Sequence, residues 1–460
     1  MRRLLSLLGA LAATALLITG ATPAAAEIGV APNRGFVPRE VVYKLQGQHL
    51  GRALSLPVGA DVREAARALR SNPRVVYAEP NYIATASAAV PVPAPLALPN
   101  DPGTIVAGTG AEAASEAGSW ASKQWNFLPW QEPPTPGLPV SPGGIDAVGA
   151  WQNLARLGRP GAAGVTVAVL DTGIAYRKRS DEFAPSPDFS PEQFTGEFDL
   201  VDRDLVPLDE NGHGTHVAGT IAEQTDNGIG LTGLAYRAKL MPVRVLDSQG
   251  RGDAVEIANG IRVAVSHGAD VINMSFNFAC GKRVPVVDEA LRRAYQAGIV
   301  AVASAGNIGS EGCVSEPATG PRVIAVGGTT EGGCLGNYSL AGSIDVVAPG
   351  GGEPIAGCPS VLSRPIFQVT LQPGSTTAFS IPSDYLGTSM AAAHVSGVAA
   401  MVVAIGYHRK GPNRLAPTRI VNAVTGRLRK TARDLGLPRT QQGAGLIDAN
   451  RATRRRPFLN

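Results

Sequence analysis

No CxxC pair, no HExxH segment and no second Asp-Thr-Gly or Asp-Ser-Gly occurs in the 460 residues. The first two absences remove the common zinc signatures. The third removes the matched carboxylate pair on which aspartic peptidases rely. Charged residues make up only 17% of the chain, and the net charge of +4 is spread along it. Such a balance gives no footprint for nucleic acid, and the run Arg454 to Arg456 reads as a solvated tail. After the first twenty or so residues, no stretch is long and apolar enough to cross a bilayer.

What is present is a large apolar fraction, 44%, together with 55 glycines. A sizeable packed core with many tight turns follows, and wholesale disorder is excluded. The length exceeds that of one usual domain. The N-terminus opens Met1-Arg2-Arg3, continues apolar from Leu4 to Gly20 and reaches Ala24-Ala25-Ala26 before Glu27. This is the pattern of a secretory signal peptide over residues 1–26. No cysteine follows it, which argues against a lipoprotein anchor. A secreted protein, extracellular or periplasmic, with no membrane association after signal removal, is the expectation.

Three segments carry chemistry. In Gly387 to Ala400, Ser389 follows a Gly-Thr turn and opens a run rich in Ala and Val. A hydroxyl placed there lies at a helix N-terminus, where free N–H groups and the helix dipole favour negative charge. A hydroxyl alone is a weak nucleophile and needs a positioned base. His213, in the segment Asn211 to Thr220, is the candidate base. Asp171, at the end of the apolar run Val165 to Leu170, is the candidate acid that orients it. His213 and His216 stand three residues apart, so a metallohydrolase built on that pair has to be weighed. Zinc would want a further ligand and an open position.

In the order Asp, His, Ser these segments resemble the subtilisin-like serine proteases (subtilases), an order unlike that of chymotrypsin-like and α/β-hydrolase enzymes. The resemblance implies that Ser389 attacks, His213 shuttles the proton and Asp171 orients the imidazole. It implies that Asn307, closing Val302 to Asn307, holds the oxyanion together with the Ser389 N–H. His216 and His394 would be structural. Ala393 stands where the family usually has proline. Ser275, Phe276 and Asn277 match an edge on which substrate backbone pairs as an added strand, and Gly250 and Gly252 match the opposite edge. Asn277 and Phe278 replace glycines common there. No acidic residue marks a pocket for basic side chains, so apolar or neutral ones are expected. The loop Thr225 to Leu231 resembles a calcium loop, with Asn227, Asp188 and Gln124 as ligands; an ordinary Asn-Gly turn is the alternative. No organic cofactor is implied.

Four cysteines, at 280, 313, 334 and 358, suit an exported protein and allow three pairings. Cys280–Cys313 and Cys334–Cys358 are expected, because each pair brackets a loop near the cleft.

The fold expected is α/β: a subtilisin-like parallel sheet with helices on both faces, preceded by a small α+β, ferredoxin-like prodomain. From about Lys123 onward, apolar strand patterns alternate with helical ones, as in a parallel sheet. Strands are predicted at 164–170, 240–245, 270–274 and 299–304, and helices at 254–267 and 286–297, with another beginning at Val217. Residues 38–86 read as a small α+β unit, with strands at 39–44 and 75–78 and a helix at 61–69 capped by Asp61, and the resemblance implies that residues 27–86 are a propeptide. The segment Ala68 to Ile83 resembles the end of subtilase propeptides, which implies a unit that assists folding and then blocks the cleft. Residues 87–118, rich in Ala, Pro, Gly and Ser, read as a linker, and 119–460 as the catalytic domain.

The function expected is a secreted, self-processed serine endopeptidase acting on proteins and peptides. Its own propeptide serves as intramolecular inhibitor, and a monomer is expected. The alternatives are a catalytically silent binding module on a protease scaffold, the metallohydrolase and a sedolisin-type enzyme with a Glu base. Every catalytic position is filled, which speaks against the first. The His-Gly-Thr-His segment speaks against the last.

Overall fold

The computed structural model describes residues 35–48, 51–86, 119–131, 139–225, 227, 229–307, 313–407 and 415–454. The signal-peptide segment, the linker 87–118, His49 and His408 lie outside them.

The N-terminal unit is a small α+β body. Strands β1 (Phe36–Leu45), β2 (Arg52–Ser55) and β3 (Val75–Ala86) form an antiparallel sheet in the order β2-β1-β3, against which α1 (Val62–Arg70) packs. Phe36, Val41, Val62, Ala65, Ala66 and Ala78 make its core, which is small for a body that must stand alone. Asp61 caps α1 as expected: its carboxylate accepts from the N–H groups of Arg63 and Glu64 at 2.8 and 2.9 Å.

The rest of the chain supplies β4 (Thr166–Asp171), β5 (Phe198–Asp199), β6 (Lys239–Arg244), β7 (Arg251–Asp253), β8 (Val271–Met274), β9 (Phe276–Phe278), β10 (Val300–Ser304), β11 (Val323–Thr329) and β12 (Val346–Pro349). Seven of these form one sheet in the order β12-β11-β10-β8-β4-β6-β5, with every pairing parallel. Helices α2 (Ala147–Arg156), α3 (His213–Ala222), α4 (Ala254–Ser266), α5 (Pro285–Gln296), α6 (Thr388–Ala404) and α7 (Pro417–Thr431) cover it. A sheet buried on both faces needs apolar side chains at consecutive positions, which is why Val167 to Leu170 read as an unbroken run. Helix α6 is buried over its whole length, packed on β8, β10, β11 and β12 and against α3. Its Ala, Val, Met, Ser and Gly side chains present no charged face. Both expected disulfides are present, Cys280–Cys313 and Cys334–Cys358. No helix among the described residues is long and apolar enough to cross a membrane.

Two boundaries differ by more than three residues from those read from sequence. Helix α3 starts at His213 rather than Val217, because Gly212 turns at φ +98° and the buried Asp209 carboxylate accepts from the Gly212 and Thr215 N–H groups at 2.9 Å each. Strand β3 runs on from Ala78 to Ala86, because its second half pairs with β7 and β9.

Candidate active site

Parallel topology gathers strand ends at one edge, where open α/β sheets bind ligands. Asp171 is the last residue of β4, Ser275 follows β8, and Asn307 lies just beyond β10. Helix α3 delivers His213 in its first turn, and α6 delivers Ser389 in its first turn. The structure thus puts Asp171 and His213 in contact and sets Ser389 at the head of α6, from three separate stretches of chain.

His213 Nδ1 lies 2.7 Å from Asp171 Oδ1, which leaves Nε2 without a hydrogen-bond partner among the described residues. The same Asp171 oxygen accepts from the Thr172 N–H at 2.8 Å. Burial pushes the His213 imidazole pKa down, but the charge and hydrogen bond of Asp171, with Asp209 behind them, outweigh it, and the net shift is upward. Ser389 is fully buried; its Oγ donates to the Ser275 carbonyl at 3.1 Å, and Ser275 Oγ donates to the Ser389 carbonyl at 3.0 Å.

Asn307 is fixed by its oxygen. Its Oδ1 accepts from the Thr388 N–H at 2.9 Å and from Thr388 Oγ1 at 2.8 Å. That commitment turns Nδ2 toward Gly387, where a Cβ would come within 2.6 Å of it and where φ is +129°, so only glycine fits. An amide nitrogen and the N–H groups at the start of α6 therefore converge on one small volume.

Sequence reasoning missed the supports. Asp209 is buried, and its carboxylate accepts from the Thr172 hydroxyl, the Thr215 hydroxyl and the N–H groups of Asn211, Gly212 and Thr215. It fastens the turn that carries His213. The only signal was an acid four residues ahead of that histidine. Thr388, beside the serine, was passed over as part of a turn.

His216 and His394 lie apart from any proton path. His216 Nε2 lies 3.0 Å from the Ile366 carbonyl, and the ring stacks on Tyr385 at 4.1 Å between centroids. His394 bridges Met390 O at 2.7 Å and Asn126 Nδ2 at 2.8 Å. Burial drives the two imidazoles down to about 3 and about 4, so both stay neutral. Among the described residues no group of three His, Cys, Asp or Glu side chains is arranged to hold a metal ion.

The two edges assigned from sequence lie on either side of one strand. β3 pairs antiparallel with β7 (Ala84 opposite Gly252, Thr85 opposite Arg251) and with β9 (Thr85 opposite Asn277, Ala86 opposite Phe276). Phe276 is buried beneath this edge. Gly250 is not part of the pairing; it sits at φ +71° in the turn before β7, its N–H donating to Asp247 O at 2.9 Å.

Of the calcium-loop residues, Asp226 and Gly228 lie outside the described set. Asp188 is buried; its Oδ1 accepts from Asn227 Nδ2 and its Oδ2 from the Leu231 N–H, each at 2.8 Å. Gln124 clasps the same stretch through Thr232, its Oε1 accepting from the N–H at 3.1 Å and its Nε2 donating to the carbonyl at 2.7 Å. Glu223 is buried beside Asp188, and burial followed by that neighbouring charge holds its carboxyl well above the usual range.

Comparison with known proteins agrees with this geometry. The family pattern described as the subtilase family (Peptidase_S8) matches residues 162–445, and that described as the fervidolysin N-terminal prodomain matches residues 30–81. The chain is 32% identical over 352 residues to a thermophilic serine proteinase of Bacillus sp. strain AK1, covering 76% of this chain and 68% of that protein. It is 35% identical over 245 residues to thermitase of Thermoactinomyces vulgaris, covering 53% of this chain and 76% of that protein. Among solved structures, a protease from Pseudoalteromonas arctica PAMC 21717 aligns with a TM-score of 0.54 and 31% identity, over 68% of this chain and 94% of that one.

Proposed function

The chain belongs to the subtilase family of serine endopeptidases and carries an N-terminal prodomain, and from that premise we propose that Asp171, His213 and Ser389 form its catalytic triad in a secreted, self-processing pre-pro-enzyme. The observation that carries this reading is the 2.7 Å contact between His213 Nδ1 and Asp171 Oδ1, which leaves Nε2 to take the Ser389 proton. The hydroxyl leaves its bond to Ser275 O as substrate enters; catalytic hydrogen bonds often tighten only in the substrate complex. Attack on a peptide carbonyl gives a tetrahedral oxyanion, which Asn307 Nδ2 and the Ser389 N–H receive. His213 then hands its proton to the leaving amine, and water releases the acyl group from Ser389.

The domain limits follow the same reading: signal peptide to residue 26, prodomain to residue 86, linker to residue 118 and catalytic domain beyond. The prodomain serves as intramolecular inhibitor. Its strand β3 fills the groove between β7 and β9, where an extended substrate would add itself. A fluorophosphonate tests the assignment of the nucleophile: one probe mass is gained per mature chain, on the peptide containing Ser389. Labelling elsewhere, or none on a processed chain, would count against it.

Thr388 is a positioning residue for the oxyanion site. Thr388→Val removes the hydroxyl that bonds both Asn307 Oδ1 and the Gly306 N–H, the latter at 3.1 Å. The expected result is a loss of about tenfold in kcat with KM little changed, the mark of an interaction made in the transition state. A change confined to thermal stability would assign Thr388 to packing alone.

The loop at Asn227 fits a structural calcium ion. The buried carboxylates of Asp188 and Glu223 lie together, and only a proton or a cation reconciles two such charges. Asp188, the Gln124 and Asn227 side-chain oxygens and nearby carbonyls are hard donors of the kind calcium takes, with the Asn227 amide turned to present its oxygen. Calcium there would cross-link the loop to the body of the domain. EDTA is expected to lower Tm by roughly 5–10 °C, with recovery on adding calcium, since an ion held at a hundred times its Kd adds about 2.7 kcal/mol. An unchanged Tm would remove the site.

A further inference from the structure

The groove between β7 and β9 has a register. Ala84, Thr85 and Ala86 stand opposite Phe278, Asn277 and Phe276. In any peptide bound the same way, the next residue falls opposite Ser275. The Ser275 carbonyl is the group touched by Ser389 Oγ at 3.1 Å, so that next residue is the one whose own carbonyl the hydroxyl can reach. Its oxygen must turn toward Asn307, at the end of the segment leaving β10. Its side chain is then confined between β9 on one wall and Ser304 to Gly306 on the other.

That gap is crossed by a side chain of the enzyme. Asn277 Nδ2 donates to the Ser304 carbonyl at 2.6 Å, and Ser304 Oγ donates to Asn277 Oδ1 at 3.2 Å. The two bonds tie the substrate edge to the end of β10. A Cβ built on Gly306 would meet Asn277 Cγ and Oδ1 at 3.7 Å and Leu340 Cδ1 at 3.0 Å, so the amide reaches ordinary packing distance of the far wall. A long or aromatic side chain could enter only by breaking both bonds and leaving the amide to find other partners.

We propose that Asn277 is a specificity-determining residue: the Asn277–Ser304 bridge closes the gap that receives the substrate side chain just before the scissile bond, and so restricts cleavage to sites with Gly, Ala or Ser there. This deepens the proposed function and rests on it. It also narrows the expectation of apolar or neutral side chains to small ones. The chain's own sequence is compatible, since Ala86 is followed by Ser87, Ala88 and Ala89.

The test uses the mature, self-processed enzyme on peptides identical except for the residue before the scissile bond: Ala, Ser, Leu and Phe. Wild type is expected to favour Ala over Phe by about 100-fold in kcat/KM, the scale on which a shaped pocket discriminates. Asn277→Gly should shrink that ratio at least tenfold, and Asn277→Ser, which keeps a small polar side chain, should fall between. The proposal is overturned by wild type cleaving after Phe or Leu within threefold of Ala, or by both variants, labelled by a fluorophosphonate as fully as wild type, keeping its ratio. Cleavage of no peptide at all, with Ser389 unlabelled, would instead overturn the triad reading and this inference with it.

Discussion

Ser389→Ala will lower kcat by about 10⁶-fold, the size of loss known when a subtilisin loses its nucleophile, and will leave the prodomain covalently attached. The size follows from the arrangement. The barrier is lowered by splitting one hard step into two through an acyl-enzyme, and with the hydroxyl gone the base has no proton to take. What remains is the oxyanion site and substrate binding, worth about 10³–10⁴-fold over water. Intact mass gives the processing result and a chromogenic peptide gives the rate. The alanine variant should fold, because Ser389 is buried at the start of a helix rich in alanine and loses one hydrogen bond to Ser275. If the variant trims itself like wild type, Ser389 is not the nucleophile.

The prodomain will leave the catalytic domain faster as pH rises, by about 100-fold between pH 5.5 and 8.5. The cause is a set of acids facing acids. Glu79 of β3 is buried against the N-terminal end of α5, facing Asp288 and Glu316. Burial, then those two charges, push its carboxyl from 4.5 up to about 8, although the Val286 N–H and Arg70 act the other way. Burial and Asp288 raise Glu316 to about 7 against the Val284 N–H, Arg283 and Arg292. At the N-terminal end of α4, Glu40 of β1 faces Asp253 and Glu256, and Asn81 bonds Glu40 at 2.9 Å. Burial, Asp253, Asp199 and Glu40 hold Glu256 up to about 8 against Arg203. Lys44 and Glu289, 2.6 Å apart, form an opposing attraction; against burial, the hydrogen bonds of Lys44 and Arg293 hold the Glu289 carboxyl below its usual range.

A carboxyl whose pKa is higher in the complex than when free favours the complex below the free value. That contribution is lost as pH climbs from about 4.5 through the bound value of about 8. Each pH unit in that window is worth up to tenfold per group, and water reaching the interface as it loosens reduces the sum. Self-processed protein incubated at each pH, then assayed briefly at pH 8.5, reads the rate at which activity emerges. Glu79→Gln, which keeps the shape and removes the titration, should flatten the dependence and delay release at pH 8.5. A release rate independent of pH, or a Gln variant with the wild-type slope, would disprove it. Catalysis itself will fall on the acid side through the His213 pKa, which lies above 6.5. The constant assay pH separates the two effects.

How much of the site could be read from sequence depended on how local each signal was. Asp61, Asp171, His213 and Ser389 each sit in a window of about ten residues whose turn, cap or strand pattern is set by neighbours along the chain. The apolar run before Asp171 marks a buried parallel strand wherever it occurs. The cysteine pairs followed from the loops they bracket. The start of α3 was misplaced because His, Gly and Thr are poor helix formers. That first turn is held by Asp209, which is itself fastened to Thr172, 37 residues earlier in the chain. β3 looked short for the same reason, since its second half is a strand only because β7 and β9 lie beside it.

The sequence by itself therefore determined the α/β class, the order Asp171, His213, Ser389, the α1 cap and the strands that end at the site. All of these depend on periodicity or on contacts between near neighbours. Only the tertiary structure decided that Thr388 locks Asn307, that Asn277 bridges to Ser304, and that prodomain carboxylates meet those at the ends of α4 and α5. Each of these joins residues tens to hundreds of positions apart. A hydrogen bond or a like-charge contact acts over a few ångströms of space, and nothing in the spacing of residues along a chain records that distance.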